Sequence, residues 1–180
     1  MNTVQHVLDI NPRLESEMLT LIALMKQNKP AIRDIVIGCS RHDSHIRTAY
    51  QFKTLWEAYG GPFGDGGQVL AVVDWNERAK SFNKYIRRIN RHNPDAFVAL
   101  GATEGFEQVM RRLHRLTDIK AHRTYVMSTL ASQSMISSGG MFIFEGMRGI
   151  TPFGHDFVVE GGILQVNGYS RAEVQINRLI

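Results

Sequence analysis

The order of secondary structure is clearest in residues 69–116, which read VLAVVDWNERAKSFNKYIRRINRHNPDAFVALGATEGFEQVMRRLHRL. Two short apolar segments, Val69–Val73 and Ala96–Leu100, show no polar alternation and so predict strands buried on both faces. Each is followed by apolar residues at helical spacing, which predict helices over 77–92 and 104–116. Strand and helix therefore alternate, and this pattern is typical of a parallel sheet covered by helices on both faces.

The alternation extends toward the amino terminus. Asn11-Pro12 predicts the start of a helix, because the Asn side chain can cap it and Pro suits its first position. The helix is expected to end before Lys29-Pro30. A strand over Ile32–Ile37 and a helix from the cap Ser44 to Tyr59 follow.

The pattern changes after the fourth predicted strand, Thr124–Met127. A Ser/Gly-rich stretch from Ser128 predicts a loop, and from about Gly140 short apolar segments are separated by turn signals. This predicts antiparallel strands, joined by hairpin turns at 160–163 and 166–169, over Met141–Phe144, Asp156–Glu160, Ile163–Val166 and Ala172–Ile176.

The expected fold class is α/β, with a mostly parallel sheet, helices on both faces and an extension of C-terminal antiparallel β-hairpins. We expect one domain over residues 1–180. Within it we expect an N-terminal helical segment at 1–30, the parallel core at 31–130 and the hairpin extension at 140–180.

The composition excludes several classes of protein. Of the 180 residues 43% are hydrophobic and 21% charged, with 5 Pro and a single Cys. Such a chain can bury a core, so disordered, collagen-like and disulfide-stapled proteins are excluded. No apolar run reaches the roughly 18–20 residues that cross a bilayer, and residues 1–27 lack the pattern of a signal peptide. We therefore expect no membrane partner and a cytoplasmic location.

The net charge of +4 is unevenly distributed along the chain. Residues 78–123 hold 11 Lys and Arg against 4 Asp and Glu, whereas the rest of the chain is mildly acidic. One interpretation is a pair of solvated helix faces, and the other is a surface for nucleic acid or an acidic partner. The residues of that surface would be Arg78, Lys80, Lys84, Arg87, Arg88, Arg91, Arg111, Arg112 and Arg115.

Loop 38–45 is the richest in polar side chains among the loops that follow the predicted parallel strands. In open parallel sheets, ligands bind beyond the carboxyl ends of the strands, where such loops meet. The residues of this loop predict an anion site at a helix N-terminus. Arginines would supply positive charge, and serines would donate hydrogen bonds to the anion. Its candidate residues are Arg41, His42, Asp43, Ser44, Arg47 and Asp74. The alternative is that Ser44 only caps the helix and the histidines lie in solvent.

Two other chemistries are weaker for the same loop. His42, Asp43 and His45 with Asp74 offer metal-binding groups, but their spacing matches no strong zinc pattern. Cys39 would be a nucleophile only if Arg41 or the helix end lowered its pKa. We expect no metal and no cofactor.

Residues 96–129 and the C-terminal hairpins resemble the RecA-like ATPases, including the KaiC-type family. AFVALGAT and GFEQVMRRLHRLTDIKAHRTYVMST look like the strand, helix and next strand after the Walker B position, and HDFVVEGGILQV with RAEVQINRL is similar to the terminal hairpin. The strand that ends in Asp74 resembles a Walker B strand. However, DIVIG leads into CSRHDSHIRT, where the family has G-x-x-x-x-G-K-[ST]. The resemblance implies a degenerate domain without ATP hydrolysis. A flavodoxin-like or other doubly wound sheet explains the first 130 residues equally well.

Three functions are compatible with these observations. The first is a non-hydrolytic RecA-like binding module in a larger assembly, which contacts nucleic acid or an acidic partner through the basic helices. The second is a small enzyme acting on a phosphorylated or nucleotide substrate at the carboxyl ends of the strands. The third is a protein–protein subunit that recruits a neighbour through its hairpin edge. We expect an oligomer or a subunit of a complex.

Overall fold

The computed structural model describes residues 11–140 and 142–167, which form one seven-stranded sheet in the order β2-β1-β3-β4-β5-β6-β7. Strands β1 to β5 pair in parallel, and β6 and β7 are antiparallel. This confirms the predicted fold class. The strands are Asp34–Ser40 (β1), Gln68–Trp75 (β2), Ala96–Leu100 (β3), Thr124–Val126 (β4), Arg148–Ile150 (β5), Asp156–Glu160 (β6) and Ile163–Val166 (β7). The division into segments at 1–30, 31–130 and 140–180 stays a prediction.

The parallel strands follow the order 2-1-3-4-5 of a doubly wound sheet. In this order the direction of winding reverses between β1 and β3, and their two loops leave toward opposite faces. The helices that cover the faces are Pro12–Lys26 (α1), Asp43–Tyr59 (α2), Asn83–Asn90 (α3), Thr103–Leu116 (α4) and Gln133–Gly139 (α5).

One apolar cluster lies on each side of the sheet, so the strands are covered on both faces. This explains why apolar and polar residues do not alternate along them. On one face α1 and α2 pack through residues such as Met18 and Trp56 against Ile35 and Ile37 of β1. On the other face α3, α4 and α5 pack against Val36 of β1 and the apolar residues around it. Because both faces of β1 are covered, every residue from Ile35 to Ser40 is buried.

The cap of α1 was predicted correctly, whereas two other helix starts were wrong. Asn11 Oδ1 accepts a hydrogen bond from Arg13 N, and Pro12 opens α1. Helix α2 is capped by His42, not Ser44, because His42 is extended and its Nδ1 accepts from Ser44 N. The helix expected from residue 77 begins only at Asn83 as α3. Asn76 Oδ1 accepts a hydrogen bond from Arg78 N. The chain forms a turn here, where the first turns of the helix were expected.

The C-terminal part combines confirmed and wrong predictions. The β6–β7 hairpin is confirmed, and both turn residues, Gly161 and Gly162, have the positive φ that the tight turn requires. The strand expected over Met141–Phe144 is wrong, because residues 142–144 lie in a turn that leads to β5. Helix α5 lies in the stretch from Ser128 where a loop was expected. The predicted turn at 166–169 lies partly, and the strand over Ala172–Ile176 wholly, outside the described residues.

Candidate functional site

The carboxyl edge of the sheet, where β1 to β5 end, carries a group of mutually hydrogen-bonded polar residues. Its centre is the crevice between β1 and β3, the point at which the winding reverses. Ser40, the last residue of β1, is 3% exposed there, and Ala102 N donates to Ser40 Oγ at 2.8 Å. In doubly wound sheets this crevice is the usual ligand position.

Glu77 joins the ends of β1 and β2 to the first turn of α4 at this crevice. Its Oε1 accepts from Ser40 Oγ at 2.5 Å and from Trp75 Nε1 at 2.8 Å, and its Oε2 accepts from Gly105 N at 2.5 Å. The carboxylate therefore lies at the N-terminus of α4, where backbone N–H groups and the helix dipole favour a negative charge. We call Ser40, Trp75, Glu77, Ala102 and Gly105 the edge framework.

Gly101 allows the loop after β3 to lie directly over Ser40. Its φ is +128°, and a Cβ at this position would lie 2.1 Å from Ser40 Oγ. Gly101 N donates to Thr129 Oγ1 at 3.2 Å, which ties the loop after β3 to the loop after β4. Only glycine accommodates this combination of backbone conformation and close approach.

Four of the six candidates for the anion site form two hydrogen-bonded pairs. Arg41 turns toward β2, where its Nε donates to the Asp74 carboxylate and its Nη2 to Asp74 O at 3.4 Å. His42 and Ser44 form the other pair, with Nδ1 and Oγ 2.8 Å apart. Asp43 and Arg47 are exposed on the first turns of α2.

The pKa values at this edge follow from burial and from the Arg41–Asp74 pair. Burial raises the pKa of Asp74, but the hydrogen bond and charge of Arg41 outweigh it, so the pKa lies below its usual value. The pKa of Arg41 is raised by the same contact. Burial, with a smaller effect of His42, lowers the pKa of His45, and Glu77 partly opposes this. The lowered pKa favours the neutral form of His45.

Cys39 does not have the properties of a nucleophile. Its side chain is fully buried, and burial, with a contribution from the Asp74 charge, raises the pKa of the thiol to about 12. The thiolate that a nucleophile requires is thus not formed near neutral pH. Over residues 11–140 and 142–167, no three His, Cys, Asp or Glu side chains are grouped so that they could hold a metal ion.

The predicted basic surface is divided between two cavities. One, of about 540 Å³, lies where β2 ends and α3 begins, and its cationic lining is Arg41, Lys80, Lys84 and Arg87. We call it the basic cavity. Arg111, Arg112 and Arg115 line a separate cavity of about 550 Å³ on α4. Arg78, Arg88 and Arg91 are exposed but line neither cavity.

Sequence reasoning did not identify Glu77 as a residue of the carboxyl edge. It also grouped basic residues that the structure places in different parts of the molecule. Glu77 was assigned to a helix, although its position two residues after a buried strand was a signal for the carboxyl edge. Arg41 was grouped with the start of α2, but its contacts are with β2 and its cavity is shared with α3. Lys80, Lys84 and Arg87 were assigned to a helix face and not to a cavity.

The comparisons with known proteins give structural matches only. No protein-family model and no curated protein matches the chain. A solved structure of a putative branched-chain amino acid ABC transporter from Rhodospirillum rubrum matches with TM-score 0.60 and 19% identity, over 78% of this chain and 37% of that one.

Two further solved structures are similar to the chain. A leucine binding protein from Thermotoga maritima has TM-score 0.57 and 17% identity, over 74% of this chain and 36% of that chain. A solute binding protein of an ABC transporter from R. palustris, in complex with benzoate, has TM-score 0.58 and 14% identity. The match covers 77% of this chain and 35% of that chain. The chain thus spans about a third of the length of these proteins.

These matches correct the predicted family resemblance and the predicted functions. The resemblance to RecA-like ATPases is wrong, because the similar solved structures include a putative branched-chain amino acid ABC transporter, a periplasmic binding protein type 1 and a leucine binding protein. The degenerate P-loop interpretation is wrong for the same reason. The predicted functions, a module for nucleic acid or an acidic partner and a small enzyme, are contradicted by the same neighbours. No helix within the described ranges is both long and apolar enough to span a membrane.

Proposed function

We propose that this chain is a non-catalytic solute-binding domain that binds a small soluble molecule at the carboxyl edge of its parallel sheet. The observation that carries the proposal is the edge framework at the β1–β3 crevice, where Ser40 Oγ donates to Glu77 and accepts from Ala102 N. The crevice is the position at which doubly wound sheets bind ligands. The likeness of 78% of the chain to a solved ABC transporter protein supports this proposal.

The edge combines a rigid base with exposed polar side chains above it. The framework satisfies its own donors, so its hydrogen bonds hold the loops after β1, β2 and β3 in place. Arg41, His42, Ser44 and Arg47 remain exposed on this base. Preorganised loops with a few convergent polar groups are what a binding site needs, since little conformational entropy is then lost on binding.

The similar proteins suggest the kind of solute and partner. One of them is a leucine binding protein and another is in complex with benzoate, and both of these small molecules carry a carboxylate. Several of the similar proteins are named as parts of ABC transporters. We propose that the chain likewise binds a small molecule with a carboxylate group and acts with a transport complex. Candidate anion contacts are the arginines at the edge, Arg41 and Arg47, because guanidinium groups match the geometry of carboxylates.

A thermal-shift screen tests the proposal. The chain is heated with leucine, benzoate and other small carboxylates, each next to the amide that lacks its carboxylate charge. At a hundredfold excess over Kd a bound acid stabilises the fold by about 2.7 kcal/mol, which raises Tm by about 5–10 °C for a chain of this size. We expect at least one acid to give this shift and its amide to give none. No stabilisation by any solute would contradict the proposal.

Matched variants locate the binding. Arg47→Gln removes a positive charge at the carboxyl edge, and Arg33→Gln removes one just before β1, at the opposite edge. We expect Arg47→Gln to weaken binding of the acid and Arg33→Gln to leave it unchanged. Equal effects would show that only net charge matters, and would contradict a site at the carboxyl edge.

A further inference from the structure

We infer that the solute carries at least two negative charges and that its charged end occupies the basic cavity. This inference rests on the proposed function, because the cavity adjoins the proposed site through Arg41, which belongs to the loop after β1. The cavity has a volume of about 540 Å³, within the range of small-molecule sites. It is thus large enough for a small polyanion.

The cationic side chains of the cavity come from separate parts of the chain. Arg41 follows β1, Lys80 lies in the turn after β2, and Lys84 and Arg87 are on α3. The neighbouring cations Arg88 and Arg91 do not line it. The cavity is therefore a convergence of selected cations and not simply the solvent-facing side of one basic helix.

The positive charge of the cavity is not neutralised by the protein. No Asp or Glu is among its lining residues. The nearby carboxylate of Asp74 forms an ion pair with Arg41, and the charge of Arg88 also lowers its pKa. Within the described part of the chain Lys80 and Arg87 have no ion-pair partner, and Lys84 Nζ lies 4.9 Å from the centre of the Tyr85 ring.

The charge surplus sets the valence of the ligand. Three exposed cations, Lys80, Lys84 and Arg87, remain together in the lining of this open cavity, where they repel one another. A single negative charge would leave two of them repelling each other, whereas a di- or trivalent oxyanion neutralises them together. The start of α3, whose cap residue Phe82 makes no side-chain hydrogen bond, adds partial positive charge on the same side. Asn76 adds a neutral polar group to the lining.

Isothermal titration calorimetry near physiological salt tests the inference with two polyanionic probes, tricarballylate and pyrophosphate. Acetate and glycerol are the singly charged and neutral controls. We expect at least one polyanion to bind and acetate to bind at least about tenfold more weakly, since charge-assisted hydrogen bonds are each worth about a factor of ten or more. The better of the two probes identifies the charged group as carboxylate or phosphate.

Charge-matched variants identify the cavity as the site. Lys84→Gln and Arg87→Gln should each raise the Kd of the probe about tenfold or more. Arg91→Gln removes the same charge from the C-terminal end of α3, about 10 Å along the helix axis from Lys84 and outside the cavity lining, and should leave Kd within about twofold. Equal effects of all three variants, or no binding of either polyanion, would overturn the inference.

The result is separable from failure of the proposed function. If a monovalent acid or a neutral solute binds at the edge and neither polyanion does, the proposed function stands and the polyanion assignment falls. If pyrophosphate binds with the expected variant pattern but no organic acid stabilises the chain, the cavity stands and the proposed solute class falls. Co-sedimentation with phosphatidic acid vesicles would assign the anion to a lipid headgroup and overturn a soluble solute.

Discussion

Replacing Glu77 with alanine tests whether the edge framework holds the carboxyl edge together. The substitution removes the acceptor of three hydrogen bonds, from Ser40 Oγ, Trp75 Nε1 and Gly105 N. Ser40 and Trp75 are buried, so their donors lose a partner in a place that water reaches poorly. Each unsatisfied buried donor costs about 1–3 kcal/mol. Because Glu77 itself is half-buried, water replaces part of the loss, and we expect a total of about 2–4 kcal/mol.

Urea unfolding measures this loss against a matched control. Glu57 forms an exposed ion pair with Lys53 one helical turn away, so Glu57→Ala removes a carboxylate of the same kind at a cost of about 0.3–0.5 kcal/mol. Glu77→Gln keeps one acceptor oxygen but turns an amide N–H₂ toward a donor. Its loss of stability should therefore lie between those of Glu57→Ala and Glu77→Ala. If Glu77→Ala unfolds at the same urea concentration as Glu57→Ala, the framework does not hold the edge.

Three further predictions concern the same edge. Gly101→Ala should destabilise the fold by at least about 2 kcal/mol in urea unfolding, because it strains a positive φ and forces a Cβ onto Ser40 Oγ; a neutral result would contradict the close approach. Cys39, whose thiol pKa is raised to about 12 by burial, should not react with a disulfide reagent at pH 8 until urea unfolds the chain; rapid labelling of the native chain would contradict it. The pKa of His45 is lowered by burial, so the folded state resists protonation. Stability should then fall as pH drops below about 6.5, and less so in His45→Gln; an identical pH dependence in that variant would refute the assignment.

Local signals in the sequence predicted the elements that local interactions determine. Asn11-Pro12 provides its own cap for α1, and Ala96–Leu100 is a strand with the predicted bounds. Gly161 and Gly162 suit the positive φ of the hairpin turn, and no distant contact is needed to recognise them. The non-alternating strands also predicted a parallel sheet with both faces covered, which is the observed architecture.

Elements that depend on distant contacts were not predictable in this way. Strand β5 is only Arg148–Ile150, with little apolar character, and exists because its backbone pairs with β4. The turn before α3 exists where a helix was expected because Glu77 bonds to Ser40 and Gly105, which lie 37 positions before it and 28 after it. Hydrogen bonds over such separations leave no periodic pattern in the sequence.

The mistaken family resemblance has the same origin. Strand–helix alternation is common to many α/β folds, and what separates them is the spatial order of strands, which hydrophobic patterns do not report. The observed order 2-1-3-4-5 is a property of the assembled sheet. The candidate residues for an anion site, among them Arg41 and Asp74, were not tested by the fold comparison and stay proposals. The cytoplasmic location also stays a prediction.

The most direct test of the central claim, a solute site at the carboxyl edge, is an amide chemical-shift titration of the chain with the strongest stabilising acid from the screen. We expect the shifted amides to cluster in the loops after β1, β2 and β3, at residues 40–47, 76–84 and 101–105. Amides at the opposite edge, including Arg33 and Asp95, should not move. Shifts centred on that opposite edge, or scattered without saturation, would contradict the claim.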